Sequence, residues 1–109
     1  MKLWLDDVRH PWAHGCLGWT WAKTAEEAIA ALVTGQVTQA SLDHDLHWEH
    51  YPGSGTPPSA YKHLTGMAVV EWMRDHNVWP RDGVAVHSQN PEKGRAMKKL
   101  IHECRHYAT

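Results

Sequence analysis

The sequence predicts an α/β fold in which a short parallel sheet of about four strands is combined with about three helices. Short apolar runs alternate with longer segments of helical periodicity, a pattern that implies right-handed βαβ crossovers. Three of the apolar runs lead directly into ionisable residues, at positions 3–9, 41–46 and 84–91. Buried strands of a parallel sheet show this pattern where their carboxyl ends open onto a ligand crevice. We therefore expect one crevice lined by three strand ends.

Strands and helices can be assigned along most of the chain. The capping-box spacing of Thr24 and Glu27 marks the start of the first helix, and Gly35 suits its C-terminal end. The last helix begins at the N-cap candidate Asn90, with Pro91 in the favoured first helical position. The predicted strands span 2–7, 18–22, 39–43 and 83–87, and the predicted helices follow at about 24–35, 65–76 and 91–107.

All three helices carry a stripe of residues at helical spacing, which predicts the face that each buries. In the first helix the stripe is Ala25, Ala28, Ile29 and Leu32. The stripes are Val69, Trp72, Met73 and His76 in the second helix, and Met97, Leu100, Ile101 and Cys104 in the third. Between the third strand and the second helix, residues 47–63 hold three prolines and two glycines. We expect a loop here that lies over the crevice, because loops of this length are often functional.

Composition is that of an ordinary globular protein, and 109 residues suffice for one domain spanning 1–109. With a net charge of −1 and no long apolar run, we expect no membrane span and no stable nucleic-acid binding. The N-terminus lacks a signal-peptide pattern, and Cys16 and Cys104 lie outside any CxxC motif. Two free thiols in a reducing, cytoplasmic setting are the simpler interpretation, with one Cys16–Cys104 disulfide as the alternative.

Four carboxylates follow two of the predicted strands, namely Asp6, Asp7, Asp43 and Asp45. Clustered acids repel one another unless a cation or protons intervene, and Mg²⁺ or Mn²⁺ would suit a few carboxylates at this edge. We therefore expect a metal site formed by Asp6, Asp7 and Asp43. The alternative is that these acids cap helices or pair with Arg9 and the lysines.

Two histidines adjoin the same strand ends. If the third and fourth strands are neighbours, His44 and His87 can reach one crevice and supply a general base and a general acid near neutral pH. The alternative is that both are structural, since the chain has ten histidines. Downstream of His87, Ser88 and the N-terminus of the last helix form a candidate anion site. Ordinary helix capping explains the same residues.

The segment from His102 to His106 matches the HExxH pattern of zinc proteases. We reject a zinc site here because His102 and His106 lie opposite the apolar stripe of the predicted helix. The match is therefore interpreted as a chance pattern on a solvent-facing surface.

Four motifs occur in a fixed order along nearly the whole chain. They are Leu5-Asp6-Asp7-Val8-Arg9 with Pro11, Ser41-Leu42-Asp43-His44-Asp45-Leu46, Thr65-Gly66 with Val70 and Trp72, and Val86-His87-Ser88 with Asn90-Pro91. This pattern resembles the cyclic-phosphate-processing receiver-like family, often called cREC. The combination of the motifs at 41–46 and 87–91 makes the resemblance specific.

The resemblance implies a three-layer receiver/flavodoxin-like fold with sheet order 2-1-3-4. It also implies an enzyme acting on cyclic phosphates derived from nucleotides or ADP-ribose, in a phage or defence context among others. Ordinary receivers bind Mg²⁺ through acids after the first and third strands, which Asp6, Asp7 and Asp43 match, and add a hydroxyl residue that Ser88 matches. No fifth strand or equivalent lysine is evident, which argues against phosphorelay signalling.

The sequence departs from the family pattern at three points. His47 stands where the family has Gly, Gly94 is one place late, and the segment 47–63 is longer than usual. These differences concern the choice of substrate more than the fold.

The function we expect is the opening of a cyclic phosphodiester by a phosphoesterase-type enzyme. His44 and His87 would exchange protons with water and the leaving oxygen, and the acids would bind metal or orient the histidines. The residues expected in catalysis are Asp43, His44, Asp45 and His87. The residues expected to bind substrate are Arg9, Ser88, Asn90 and Gly94. The alternative is a non-catalytic module that binds a nucleotide-like ligand or a partner protein, and the sequence implies no particular oligomeric state.

Overall fold

A computed structural model of the chain describes residues 1–108, with side chains as far as residue 104. It contains a four-stranded parallel sheet of order β2-β1-β3-β4, which confirms the predicted order. The elements are β1 Lys2–Leu5, β2 Thr20–Ala22, α1 Ala25–Val33, β3 Gln39–Leu42, α2 Gly66–His76, β4 Val84–Val86 and α3 Pro91–Ala108.

The helices α1 and α2 pack on one face of the sheet because both crossovers run in the same direction, from β2 past β1 to β3 and then to β4. The last helix, α3, packs against β4 and α2 and contributes to the same core. One apolar core joins Leu3, Leu5 and Leu42 of the sheet to all three helices. Full burial of each such leucine contributes roughly 1.5–3 kcal/mol. The helix residues in this core are Ala25, Ala28 and Leu32 of α1, Val69, Val70 and Met73 of α2, and Met97 and Ile101 of α3.

The opposite face of the sheet is covered by an irregular segment instead of a helix. The β1–β2 connection contains only a short 3₁₀ helix at Pro11–His14 where a loop was expected. From this connection, His14 stacks on Trp4 with ring centroids 5.4 Å apart, and Trp19 meets the same ring edge-on. Aromatic rings therefore form the third layer at this end of the sheet.

Three strands end earlier than predicted, whereas β2 ends at Ala22 as predicted but begins only at Thr20. At the first strand, β1 stops at Leu5 instead of continuing to Asp7. The cause is local, since the carboxylate of Asp6 accepts the backbone N–H groups of Val8 and Arg9 at 3.0 and 2.8 Å. Those two donors turn the chain away from the sheet immediately after the strand.

The helix ends follow the sequence signals closely. Thr24 Oγ1 accepts the N–H of Glu27 at 3.1 Å, and Gly35 follows the end of α1 with a φ of 74°. The Glu27 carboxylate reaches back one residue further than a capping box requires, to the N–H of Lys23. At α3, Asn90 Oδ1 accepts the N–H of Lys93 at 3.2 Å, which confirms the predicted cap.

The predicted core face of α2 is wrong at one position. His76 is exposed and stacks on the partly buried Trp72 with centroids 4.4 Å apart, whereas Val70 occupies a buried position beside Val69 and Met73. A histidine in the last turn can keep its ring in water and still interact favourably with the helix dipole at the C-terminal end.

Residues 47–63 form an ordered loop built from three 3₁₀ turns, at Trp48–His50, Pro52–Ser54 and Pro58–Ala60. Its anchor is His50, which is 3% exposed. The ring accepts the N–H of Leu46 at 2.9 Å and donates to the carbonyl of His63 at 2.8 Å. This buried histidine joins the two ends of the loop, a role that the sequence did not reveal.

Within residues 1–108, no helix combines the length and apolarity needed to cross a bilayer. Cys16 and Cys104 are both free thiols, as the simpler interpretation expected. His102 is exposed, as predicted, while the side chain of His106 lies outside the described residues.

Gly66 allows α2 to begin directly against the end of β3. A methyl group there would overlap the carbonyl oxygen of Asp43 and lie 2.8 Å from its carbonyl carbon. We expect Gly66→Ala to lower the free energy of unfolding by about 3 kcal/mol or more, measured by urea unfolding followed by circular dichroism. Gly53→Ala is the matched control, because nothing lies within 4 Å of its added carbon. Equal effects of the two substitutions would contradict this account.

A candidate site at three strand ends

The register of the sheet aligns the ends of three strands. Leu5 lies opposite Leu42, and Leu42 lies opposite Val86, so the next residues on β1, β3 and β4 meet at one edge. Those residues are Asp6, Asp43 and His87, and they offer ligand-type atoms within 4.8 Å of one another. The predicted meeting of these strand ends is therefore present in the structure.

Asp6 is fully buried, at 0% exposure, and both oxygens of its carboxylate are hydrogen-bonded. Its Oδ1 accepts two backbone N–H groups, while its Oδ2 contacts Arg9 Nε at 2.9 Å and His87 Nε2 at 3.1 Å. Burial alone would raise the pKa of Asp6, but the hydrogen bonds from His87, Arg9 and Val8 outweigh it and lower the pKa to about 2. Asp6 is therefore an anion at any working pH.

Arg9 connects the strand ends electrostatically. Its Nη2 donates to the carbonyl of His87 at 3.0 Å and forms an ion pair with Asp43 Oδ2 at 3.4 Å, in addition to the bond from Nε to Asp6. The guanidinium is thereby fixed by three groups from three strand ends. Its planar fork suits such multiple contacts better than a lysine ammonium would.

The Mg²⁺ or Mn²⁺ site expected from Asp6, Asp7 and Asp43 stays a prediction, and this geometry does not fit it. Arg9 already lies between Asp6 and Asp43 and supplies the positive charge. Asp7 turns elsewhere, because the hydroxyl of Tyr51 donates to both of its carboxylate oxygens at 2.9 and 2.8 Å. A small divalent ion would need these oxygens free and in octahedral geometry.

The ring of His87 is fixed by contacts with three other residues. Its Nε2 donates to Asp6, its Nδ1 pairs with Ser41 Oγ at 2.7 Å, and its ring stacks on Trp4 at 3.9 Å with an interplanar angle of 6°. Since a carboxylate can only accept, Nε2 carries a proton and donates it to Asp6, which leaves Nδ1 for the contact with Ser41. This arrangement suits a positioning group. Ser41, which is 7% exposed, was not singled out from the sequence.

His44 and Asp45 form a second, separate pair. His44 Nδ1 and Asp45 Oδ1 are 2.6 Å apart, and both side chains are buried. Burial lowers the pKa of His44 and outweighs the opposing effect of Asp45. A neutral His44 therefore donates from Nδ1 and fixes the orientation of the Asp45 carboxylate.

Asp43 has the opposite electrostatic character to Asp6. Its Oδ1 accepts the backbone N–H of His44 at 2.8 Å, and its side chain is buried. Burial, followed by the negative charge of Asp6, raises the pKa of Asp43 to about 6, although Arg9 and His87 act in the other direction. Neighbouring acids with separated pKa values are a common arrangement for proton transfer near neutral pH.

A cavity of about 490 Å³ opens beside these groups, and we call it the strand-end cavity. Its size is within the usual range for small-molecule sites. Of the residues that the structure describes, neither His44 nor His87 lines it. The lining residues are Val8, Arg9, Asp43, Asp45, Tyr51, Pro52, Gln89, Asn90 and Pro91.

Tyr51 and Gln89 are cavity residues that sequence reasoning missed. Tyr51 comes from the 47–63 loop, so the expectation that this loop lies over the crevice is met at this point. Burial and the hydrogen bond to Asp7 raise the pKa of Tyr51 well above its ordinary value, so the phenol stays protonated and donates. In the sequence, the only indication of Tyr51 as a cavity residue was an aromatic side chain next to Pro52 in a long loop.

Two predicted substrate residues lie in a different place. Ser88 and Gly94 line a second cavity of about 290 Å³ together with Arg95 and Lys98. Ser88 Oγ accepts the N–H of Asn90 at 3.1 Å and so belongs to the cap of α3. Of the two capping residues Ser88 and Asn90, only Asn90 lines the strand-end cavity.

Asp43→Asn tests the raised pKa through the pH dependence of stability. The folded protein keeps the Asp43 proton up to about pH 6, whereas an ordinary carboxyl releases it near 3.8. The stability that comes from this retained proton is therefore complete at low pH and is lost as the pH rises through about 6. Asparagine does not titrate, so the variant lacks this pH dependence. The unfolding free energy of Asp43→Asn minus that of wild type should therefore rise by up to about 3 kcal/mol between about pH 4 and 8.

Urea unfolding at several pH values measures this difference. Asp75→Asn, at an exposed position on α2, is the control and should show a constant difference from wild type. A constant difference for Asp43→Asn as well would show that Asp43 does not retain its proton on folding.

The chain was also compared with known proteins. Residues 1–103 match the family model described as the cyclic-phosphate processing Receiver domain. No curated protein and no solved structure matches the chain. The matched region covers all four strands and most of α3, and it includes every residue of the strand-end cavity. On this basis the chain belongs to the family of cyclic-phosphate processing receiver domains.

Proposed function

We propose that the chain hydrolyses a cyclic phosphodiester to a phosphomonoester in the strand-end cavity. The observation that carries the proposal is the guanidinium of Arg9, fixed by two buried carboxylates at the wall of a cavity that also holds Asp45. A positioned cation supplies phosphate affinity, and the adjacent acids supply proton transfer. The family to which the chain belongs is itself named for cyclic-phosphate processing.

Arg9 is the proposed phosphate ligand. Two of its nitrogens, Nε and Nη2, make the hydrogen bonds that fix the side chain, while Nη1 takes part in none of those described. Nη1 is thus available to donate to a phosphate oxygen. Gln89 and Asn90 line the same cavity, and we assign their amides the contacts to the sugar or to a second phosphate oxygen.

The helix N-terminus contributes less than the sequence suggested. Pro91 has no N–H group, and the N–H groups of Lys93 and Gly94 already donate to Asn90. We therefore assign the principal anion contact to Arg9 and not to the first turn of α3.

Asp45 and Asp43 are the proposed base and acid. Asp45, oriented by His44, takes a proton from water as the water oxygen bonds to phosphorus. Asp43, protonated, gives its proton to the ring oxygen as the phosphorus–oxygen bond breaks. The phosphate anion near Asp43 would raise its pKa above 6 and keep the proton in place until transfer.

His44 and His87 act as positioning residues in this proposal. His44 orients Asp45, and His87 orients Asp6, which in turn fixes Arg9. This differs from the direct proton exchange expected from the sequence, because both nitrogens of His87 are engaged and neither ring lines the cavity within the described chain. No step requires a metal ion.

Phosphorus NMR tests the proposal directly. The protein is incubated with 2′,3′-cyclic nucleotides, 3′,5′-cyclic nucleotides and ADP-ribose cyclic phosphate, each with Mg²⁺ and with EDTA. We expect one class to convert to a monoester at the same rate under both conditions. Line broadening without conversion would overturn hydrolysis in favour of a binding module, and conversion only with Mg²⁺ would restore the predicted metal site.

Asp45→Asn should remove the proposed base and keep the shape of the cavity. We expect kcat to fall by about 10²–10⁴-fold, the usual contribution of a general base, with KM little changed. Asp75→Asn, far from the cavity on the exposed face of α2, should retain full activity. Equal activity of Asp45→Asn and wild type would exclude Asp45 as the base.

The acid role of Asp43 predicts a pH profile. Because the free enzyme must carry the Asp43 proton, kcat/KM should fall by about tenfold per pH unit above about pH 6. The decline of kcat should begin at a higher pH than the decline of kcat/KM, since bound phosphate stabilises the protonated form of Asp43. A rate that rises steadily through pH 6–8 would contradict protonated Asp43 as the acid.

A further inference from the structure

We propose that His47, Glu49 and His63 form a zinc site, which we call the loop site. The ligand-type atoms of these three residues lie within 4.8 Å of one another. The site is separate from the strand-end cavity, since none of the three lines that cavity among the residues described. The inference does not depend on the proposed hydrolysis.

Glu49 provides the fixed part of the site. Its Oε1 accepts the backbone N–H groups of Lys62 and His63 at 2.8 and 2.7 Å, and the ring Nδ1 of His63 at 3.0 Å. These bonds hold the carboxylate across the two ends of the loop, and Oε2 accepts none of the hydrogen bonds described. A carboxylate oxygen is therefore presented next to both rings.

The two histidines lie on the same side of this carboxylate. Their rings stack with centroids 3.7 Å apart and an interplanar angle of 14°, and His63 is 53% exposed at its side chain. Because Nδ1 of His63 donates to Glu49, its Nε2 carries the lone pair that a metal needs. A hydrogen bond from a ligating imidazole to a carboxylate is a frequent second contact around zinc.

The donor set selects the metal. Two imidazoles and a carboxylate are ligands that Zn²⁺ takes in proteins, whereas Mg²⁺ prefers oxygen ligands alone. With bonds of about 2.0–2.1 Å in tetrahedral geometry, two ligand atoms of one zinc ion lie about 3.4 Å apart. The ligand-type atoms, which lie within 4.8 Å of one another, must therefore close by up to about 1.4 Å, and the nearly parallel rings must turn until their lone pairs converge. Both rings are exposed, so the rotation exchanges their mutual stacking and the 3.5 Å contact from the Glu49 N–H to His47 Nδ1 for bonds to the metal.

Zinc at the loop site would stabilise the wall of the strand-end cavity. Residues 47 and 63 bracket the loop that carries Tyr51 and Pro52, both of which line the cavity. Only His50 and Glu49 connect the ends of this loop through side-chain hydrogen bonds in the described structure. A metal bridge between the same ends would add a third connection and restrict the opening of the loop.

Isothermal titration of the EDTA-treated chain with ZnCl₂ tests the site, with thermal unfolding as a second measurement. We expect one zinc per chain and a higher Tm with Zn²⁺ but not with Mg²⁺. His47→Gln and His63→Gln should each weaken binding by at least about tenfold, the loss that follows removal of even an outer-sphere partner. His76→Gln, at another exposed histidine, is the matched control and should bind like wild type.

Circular dichroism of each variant establishes that it is folded before titration. Stoichiometric binding that is lost in both loop variants and kept in His76→Gln would support the site. No binding by the wild type, or binding unchanged in the loop variants, would overturn it and, in the second case, assign the metal to other histidines. None of these measurements uses catalytic activity, so the outcome is independent of the proposed hydrolysis.

Discussion

The buried carboxylate of Asp6 is the constraint on which the arrangement of this site depends. An unpaired charge at zero exposure costs several kcal/mol, so Asp6 is tolerated only with its partners in place. Those partners are the backbone turn that follows β1, the guanidinium of Arg9 and the ring of His87 from β4. One buried anion thus joins the first and last strands of the sheet and holds Arg9 at the cavity wall, where it also meets Asp43.

The same contacts give two neighbouring aspartates different chemistry. Asp6 receives the hydrogen bonds of His87, Arg9 and Val8, whereas Asp43 receives one backbone N–H and a longer ion pair to Arg9. The negative charge of Asp6 then acts on Asp43 together with burial, and the pKa values separate to about 2 and about 6. The pair therefore contains one anion and one group that gains and loses its proton near pH 6.

Periodicity and short-range turn chemistry were sufficient for the caps at Thr24 and Asn90 and for the meeting of three strand ends. The sheet order was expected from the resemblance to a known family. The sequence did not show where side chains point beyond the strand ends. Asp7 turns to Tyr51, a partner 44 residues away, and the ring of His87 is fixed by Trp4 and Ser41 from other strands. Such partners are set by tertiary packing, and no local pattern specifies them.

Aromatic packing explains why the site can exist without a helix on the second face of the sheet. The indole N–H of Trp4 donates to the carbonyl of Arg9 and that of Trp21 to the carbonyl of Asp6, each at 2.8 Å, so both indoles hold the turn that follows β1. Trp4 also supports the ring of His87. One wall of the strand-end cavity is thus the turn held by these indoles. The other wall comes from the loop with Tyr51. Differences in substrate should therefore reside in the loop, which brings Tyr51 and Pro52 to the cavity.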